Sequence, residues 1–298
     1  FVLPTAKLTE PGGGKGGPVD TQLGRVADNV EAANDLTARR AFRLELPAPV
    51  MMHDCVITEE HTVFLDSPIV FNVANLGKGP MVSWRPENGT RLGVIPRRGG
   101  PDDIRWFEIE PGHVQHFWSG WADGDRIELC GSRFDAPDFG IDSEPPLDQS
   151  VADPTPGRPA RFWIDLAEGR AGWEPIDDLG GDFNRINDTR NGERVRWLYL
   201  SAFVQADRRM GDFDTIVKYD ETDGSRTHWT MGPHGHVGES VFAPDPDGTA
   251  EDDGWLLNIV YDDATDGSDL VVLDARDVAA GPVATVHLPR RVPFGFHA

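Results

Sequence analysis

Lysine is nearly missing from this chain. Only four occur in 298 residues, and 28 Lys plus Arg face 50 Asp plus Glu, for a formal net charge of -22. So acidic a chain is a poor partner for nucleic acid, and an anionic membrane surface would repel most of it, so peripheral membrane contact is not expected. Long apolar runs are missing too. No segment is long enough to span a bilayer, and no secretory leader pattern is present, so a cytoplasmic location is the expectation. Cysteine is scarce: Cys55 and Cys130 lie in the apolar stretches HDCVIT and RIELCGSRF and read as reduced core thiols. Helical periodicity is almost absent, with one candidate turn in DARDVAAG. There is no initiator Met and no histidine before His53.

What is abundant is strand. Apolar residues make up 39% of the chain and nine are Trp, enough to build a packed core. HDCVIT and HTVFLD, separated by Glu59 and Glu60, read as a hairpin. TRLGVIPR, IRWFEIE, HVQHFW, DRIELCGSRF, ARFWIDL, VRWLYLSAF, DTIVKYD, RTHWTMG, WLLNIVYD, SDLVVLD and VATVHLP follow, bounded by Gly, Pro, Asp and Asn turns. Many short antiparallel strands at regular spacing indicate an all-β sandwich, barrel or propeller. VKYDETDGSRTHW and YDDATDGSDLVVLD both fit outer hairpins of propeller blades. Two segments break the pattern. KLTEPGGGKGGPVD reads as linker, followed by RVADNVEAANDLTARRAF as a frayed helix or a strand with a long turn. FDAPDFGIDSEPPLDQSVADPTPGRP reads as a long loop of the kind that covers a site.

Nine histidines are present. His61, His113, His228, His234, His236 and His287 sit in or beside polar turns or strand ends and read as surface or structural residues. The PHGH pair, His234 and His236, has the look of a metal clip in a Gly-rich loop. His53, His116 and His297 stand out because each adjoins a strand-like segment with large apolar neighbours. A buried imidazole must satisfy two ring nitrogens, so these are either partnered core residues or ligands. Their separation in sequence is too wide for a local metal motif. Only a fold that gathers distant strands around one axis brings them together, and a propeller does so.

Taken in order, MMHDCVITEEHTVFLDSPIVFN, RLGVIPR, IRWFEIEPGHVQHFWSGWADGDRIEL, TIVKYD and the run from GESVFAP to the end resemble the carotenoid cleavage oxygenase family from about Leu46 onward. The resemblance implies a seven-bladed β-propeller with Fe(II) on its axis, held by four histidines. His53, His116 and His297 match three of them. Of this propeller the chain would supply about the last four blades, with long loops over the axial site; residues 1–45 would be linker and incomplete blade, and 46–298 the carboxyl-terminal part of a single domain. Glu239 in GESVFAP matches a glutamate that orients a ligand histidine, and Asp182 in GDFNRIND stands where a second glutamate is usual. Being one methylene shorter, Asp182 would reach its histidine through water. After His116 the family carries Asn-Ala where this chain has Ser119 and Gly120.

The implied activity is O2-dependent cleavage of a C=C bond, in a hydrophobic conjugated substrate such as an apocarotenoid or a stilbene, to two carbonyls. Phe117, Trp118, Phe294 and Phe296 are candidates to line a substrate tunnel or are simply core, and Gly295 would allow close approach to the axis. The fourth ligand would fall upstream of Phe1, so the chain reads as part of a longer protein that by itself binds iron weakly or is inactive. The competing reading is a non-catalytic propeller module with a polar histidine core. A hydrolase is disfavoured because no nucleophile-elbow motif appears.

Overall fold

The computed structural model describes residues 26–27, 41–42, 44–72, 75, 78, 82–137, 156–204, 212–293, 295 and 297. Strands β1 (Val26–Ala27) and β2 (Ala41–Phe42) pair antiparallel, which favours the strand reading of that segment. Residues 138–155, the long loop expected to cover the site, lie outside the described residues, as do Phe294, Phe296 and most of the expected linker.

Four four-stranded antiparallel sheets follow in chain order. The first holds β3 (Cys55–Ile57), β4 (His61–Asp66), β7 (Thr90–Pro96) and β8 (Arg105–Ile109), with a small ribbon of β5 (Ile69–Phe71) and β6 (Val82–Trp84) inserted. The second holds β9 (His113–Asp123), β10 (Arg126–Phe134), β11 (Arg158–Asp165) and β12 (Arg170–Pro175). The third holds β13 (Gly181–Arg185), β14 (Trp197–Ala202), β15 (Thr215–Asp220) and β16 (Arg226–Thr230). The fourth holds β17 (Gly235–Pro244), β18 (Gly254–Asp262), β19 (Gly267–Asp274) and β20 (Pro282–His287). Within each sheet every strand pairs with the next, so all are simple meanders. Turn chemistry sets the hairpins: Gly124 at φ 57 closes β9 onto β10, with Asp123 opposite Arg126.

Period-two alternation loads the faces of these sheets with apolar side chains, and the sheets stack through them. Val56, Leu65, Leu92 and Phe107 of the first sheet pack on Phe117, Ile127, Leu129 and Phe162 of the second. Trp118 and Cys130 of the second meet Leu198, Leu200, Val217 and Tyr219 of the third. Tyr199, Phe213 and Ile216 then meet Phe242, Leu256, Val260 and Leu273 of the fourth. The strands β3, β9, β13 and β17 touch one another in that order, so the first strand of each sheet lies on a common inner side.

Phe117 and Trp118 take the core alternative, sealed between sheets; the Trp118 indole N–H donates to the Tyr199 carbonyl at 2.5 Å. Two expectations are corrected. The β18–β19 hairpin is the middle of its sheet, whereas β15–β16 is an outer hairpin as expected. Among the described residues a Cβ at Gly295 would meet only the His297 carbonyl oxygen, at an ordinary 3.6 Å, so no close approach among them explains that glycine. Both cysteines are free, and burial pushes the Cys55 thiol up to about 11 and Cys130 to about 12.

Candidate metal centre

The inner strands converge on three imidazoles. His53 lies in the extended residues just before β3, His116 lies within β9, and His297 comes from the end of the chain. One ring nitrogen from each falls within 4.8 Å of the others, the one such cluster among the described residues. Nε2 of His53 is 3.2 Å from Nε2 of His116. Ring centroids are 4.9 Å apart for His53–His116, 5.1 Å for His116–His297 and 5.7 Å for His53–His297.

Two of the rings have a carboxylate behind them. Asp182 Oδ2, on β13, stands 3.1 Å from Nδ1 of His116, a direct contact where a water-mediated one was expected. Glu239, on β17, accepts from Nδ1 of His297 at 3.2 Å. Local irregularities aim both carboxylates. The β13–β14 register shifts between Asp182 and Arg185, and the β17–β18 register shifts between Val237 and Ser240. Such bulges turn a side chain out of the pleat. Asn258 holds the second one, accepting from the Gly238 amide and donating to the Gly238 carbonyl.

Residues that sequence reasoning passed over complete the centre. Asp54 accepts from the amides of Cys55 at 2.7 Å and Phe117 at 2.9 Å, tying the start of β3 to β9 beside His116. Burial raises its pKa against the pull of those two amides. Phe183 adopts φ 58, a left-handed conformation uncommon for a bulky residue, and its ring lies 5.6 Å from that of His116 and 6.3 Å from that of His297. Arg185 stands 3.0 Å from Glu239. The His-Asp pair at 53–54 was the visible signal for Asp54. Nothing in the sequence marks the conformation of Phe183.

The donor set fits a divalent cation. Burial, then the neighbouring His116 and His297, lowers His53 to about 4, so its ring is neutral at pH 7. Burial also presses on His116, but Asp182, with Asp54 and Glu239 behind it, outweighs burial and raises its pKa. His116 Nε2 faces His53 Nε2 across 3.2 Å, with Asp182 Oδ2 3.1 Å from its Nδ1 on the other side of the ring. The spacing also suits a shared ion, since two neighbouring ligands at metal–nitrogen distances of about 2.1 Å lie roughly 3 Å apart. Three carboxylates against one guanidinium give the surroundings the sign that attracts such an ion.

Four of the other six histidines have partners of their own. His113, at the first residue of β9, is fully buried as a structural residue, contacting Ser67 Oγ and Gln115 Oε1 at 2.9 Å each. His234 contacts Asp263, His236 contacts Asp212 and Asp263, and His287 contacts Asp269.

The retinal pigment epithelial membrane protein (RPE65) family model matches residues 15–298. The carotenoid 9,10(9′,10′)-cleavage dioxygenase of Crocus sativus is 31% identical over 284 residues, covering 89% of this chain and 51% of its own. The isoeugenol monooxygenase of Pseudomonas putida is 31% identical over 264 residues, covering 84% and 54%. The crystal structure of cobalt-substituted Synechocystis ACO superposes with a TM-score of 0.77 at 27% identity, over 87% of this chain and 55% of that one. The chain therefore belongs to the RPE65 family, which includes the carotenoid cleavage oxygenases. It spans about half the length of the curated relatives it matches.

Proposed function

We propose that this chain carries three ligands of a non-haem Fe(II) centre in an oxygenase, which splits a C=C bond of a hydrophobic conjugated substrate with O2 into two carbonyls. The observation that supports this most is the cluster itself: three imidazoles within 4.8 Å, two of them backed at Nδ1 by buried carboxylates. His53, His116 and His297 would hold the metal. Fe(II) bound there supplies the O2 activation that such a cleavage needs. Both oxygen atoms of O2 end in product carbonyls and the double bond supplies the electrons, so no external reductant is required.

The chain's own residues do the rest. Asp182 and Glu239 keep a ring proton on Nδ1 of His116 and His297, leaving each Nε2 free as a donor. Asp54 fixes the spacing between the His53 and His116 segments. Phe183, backed by the buried ring of Phe213 at 5.3 Å, forms an apolar wall beside two of the histidines. Such a wall suits a polyene or a phenylpropenoid; the names of the relatives span both classes. Closure into a seven-bladed propeller with a fourth histidine from another part of the protein belongs to the same proposal.

Cobalt(II) titration of the chain tests the centre. At saturating cobalt one visible-absorbing ion per chain is expected, weakly held with three of four ligands present, lost in His116→Ala and His297→Ala and retained in His287→Ala, whose ring is exposed on β20. Unchanged binding in His116→Ala and His297→Ala would refute the assignment.

A further inference from the structure

A single short strand reaches two of the three imidazoles, from two of its residues. At one end of β13, Asp182 faces His116 directly. The amide of Asn184, turned so that its nitrogen meets acceptors, donates to the other oxygen of Asp182 at 3.0 Å and to the His116 carbonyl at 3.2 Å. At the other end, Arg185 Nε stands 3.0 Å from Oε1 of Glu239, while Oε2 of the same carboxylate holds Nδ1 of His297. The left-handed turn at Phe183 lies between these residues, within the bulge, and lets the strand serve both.

His297 needs this support more than its partners do. Its side chain is 49% exposed, whereas His116 sits inside strand β9 with a side chain 11% exposed. The Glu239 side chain is only 4% exposed. A carboxylate so enclosed is costly without an opposite charge, and the Arg185 guanidinium supplies one. We infer that Arg185 is a positioning residue for His297: its guanidinium fixes one oxygen of Glu239, so that the other stays aimed at Nδ1 and the ring keeps Nε2 toward the cluster. The purpose of that arrangement rests on the proposed metal centre, but its existence does not.

The ring tautomer of His297 in the metal-free chain is the deciding measurement, read from two-bond proton–nitrogen correlations of 15N-labelled protein. The parent should show His297 with its proton on Nδ1. Arg185→Met should lower the ratio of Nδ1–H to Nε2–H forms by about tenfold or more and weaken cobalt affinity about tenfold. Arg185→Gln removes the same charge with a polar end and serves where Arg185→Met does not fold. Glu239→Gln, whose amide can turn oxygen or nitrogen to the ring, should release His297 in the same way, and Arg185→Met added to it should change nothing further. A parent-like tautomer ratio in the folded Arg185 variants, or additive effects of the two substitutions, would overturn the inference even if thermal stability fell. If the tautomer shifts as expected but the parent binds no cobalt, Arg185 stands and the metal reading fails.

Discussion

Gly120→Ala restores the alanine that family resemblance leads one to expect four residues after His116, and it should damage this protein. A Cβ built at Gly120 would lie 2.3 Å from Cγ1 of Val56 and 2.8 Å from Cδ2 of Leu129. Carbon atoms settle about 3.5–4.0 Å apart, so Val56 must retreat by more than about 1 Å. It has little room, being 4% exposed, stiff at χ1, and held in β3 opposite Val63. Overpacking of this kind costs about 1–3 kcal/mol, and the distance places it near the top of that range. Alanine returns about 0.5–1 kcal/mol through the unfolded chain, for a net loss of about 2 kcal/mol. Val56→Ala alone should cost about 2–3 kcal/mol, from two lost methyl groups and the space they leave. In the double variant the new methyl enters that space, so the summed losses should shrink by about 2 kcal/mol. Urea unfolding at pH 7 reads all three variants. Additive losses, or a neutral Gly120→Ala, would refute the inter-sheet contact.

Two further expectations concern stability alone. Trp118→Phe removes the indole N–H that bonds the Tyr199 carbonyl across two sheets and should cost about 2–3 kcal/mol with an unchanged urea m-value; a change under about 0.5 kcal/mol would contradict that contact. Asp220 is held at about 2, first by Arg196, against burial and with help from the Thr222 amide. A depressed carboxyl contributes stability above its unfolded pKa and loses it as pH falls through the folded one. Asp220→Asn should therefore be less stable than the parent by on the order of 1 kcal/mol at pH 6, discounted for the exposed Arg196, with the gap closing between about pH 4 and pH 2. A gap that persists at pH 2 would show that the cost is not ionic.

The strands were legible because their signals are local. HTVFLD is a short apolar run with β-branched and aromatic residues between acidic ends, ADGD supplies a glycine for a left-handed turn, and the structure pairs β9 with β10 across that turn. The histidines were legible in a different way. Nothing near His297 explains a histidine there, and its closeness to His53 and His116 depends on four sheets being stacked in order. What stayed hidden was direction. HVQHFW reads as a strand, but its pattern left Phe117 and Trp118 open between tunnel lining and core, and the sheet buries them against its two neighbours. Asp182 looked too short for its histidine because side-chain length was weighed without the bulge that brings its backbone closer.

That last point generalises within the centre. A regular pleat sends neighbouring side chains to opposite faces, into the hydrophobic layers between sheets, and leaves nothing aimed along the inner edge. The carboxylates behind His116 and His297 are carried by inner strands with register shifts at those residues: β13 at Asp182, β17 at Glu239. β9, which carries His116, shifts against β10 around Gly131. There a Cβ would meet Val114 at 2.9 Å and the His116 carbonyl oxygen at 3.1 Å, so glycine is what the close approach of the two strands requires. The broken hydrogen-bond ladders and the strained Phe183 cost stability locally, and the apolar layers on either side supply it. The centre is thus a row of departures from ideal strand geometry, tolerated because ordinary sheet packing surrounds it.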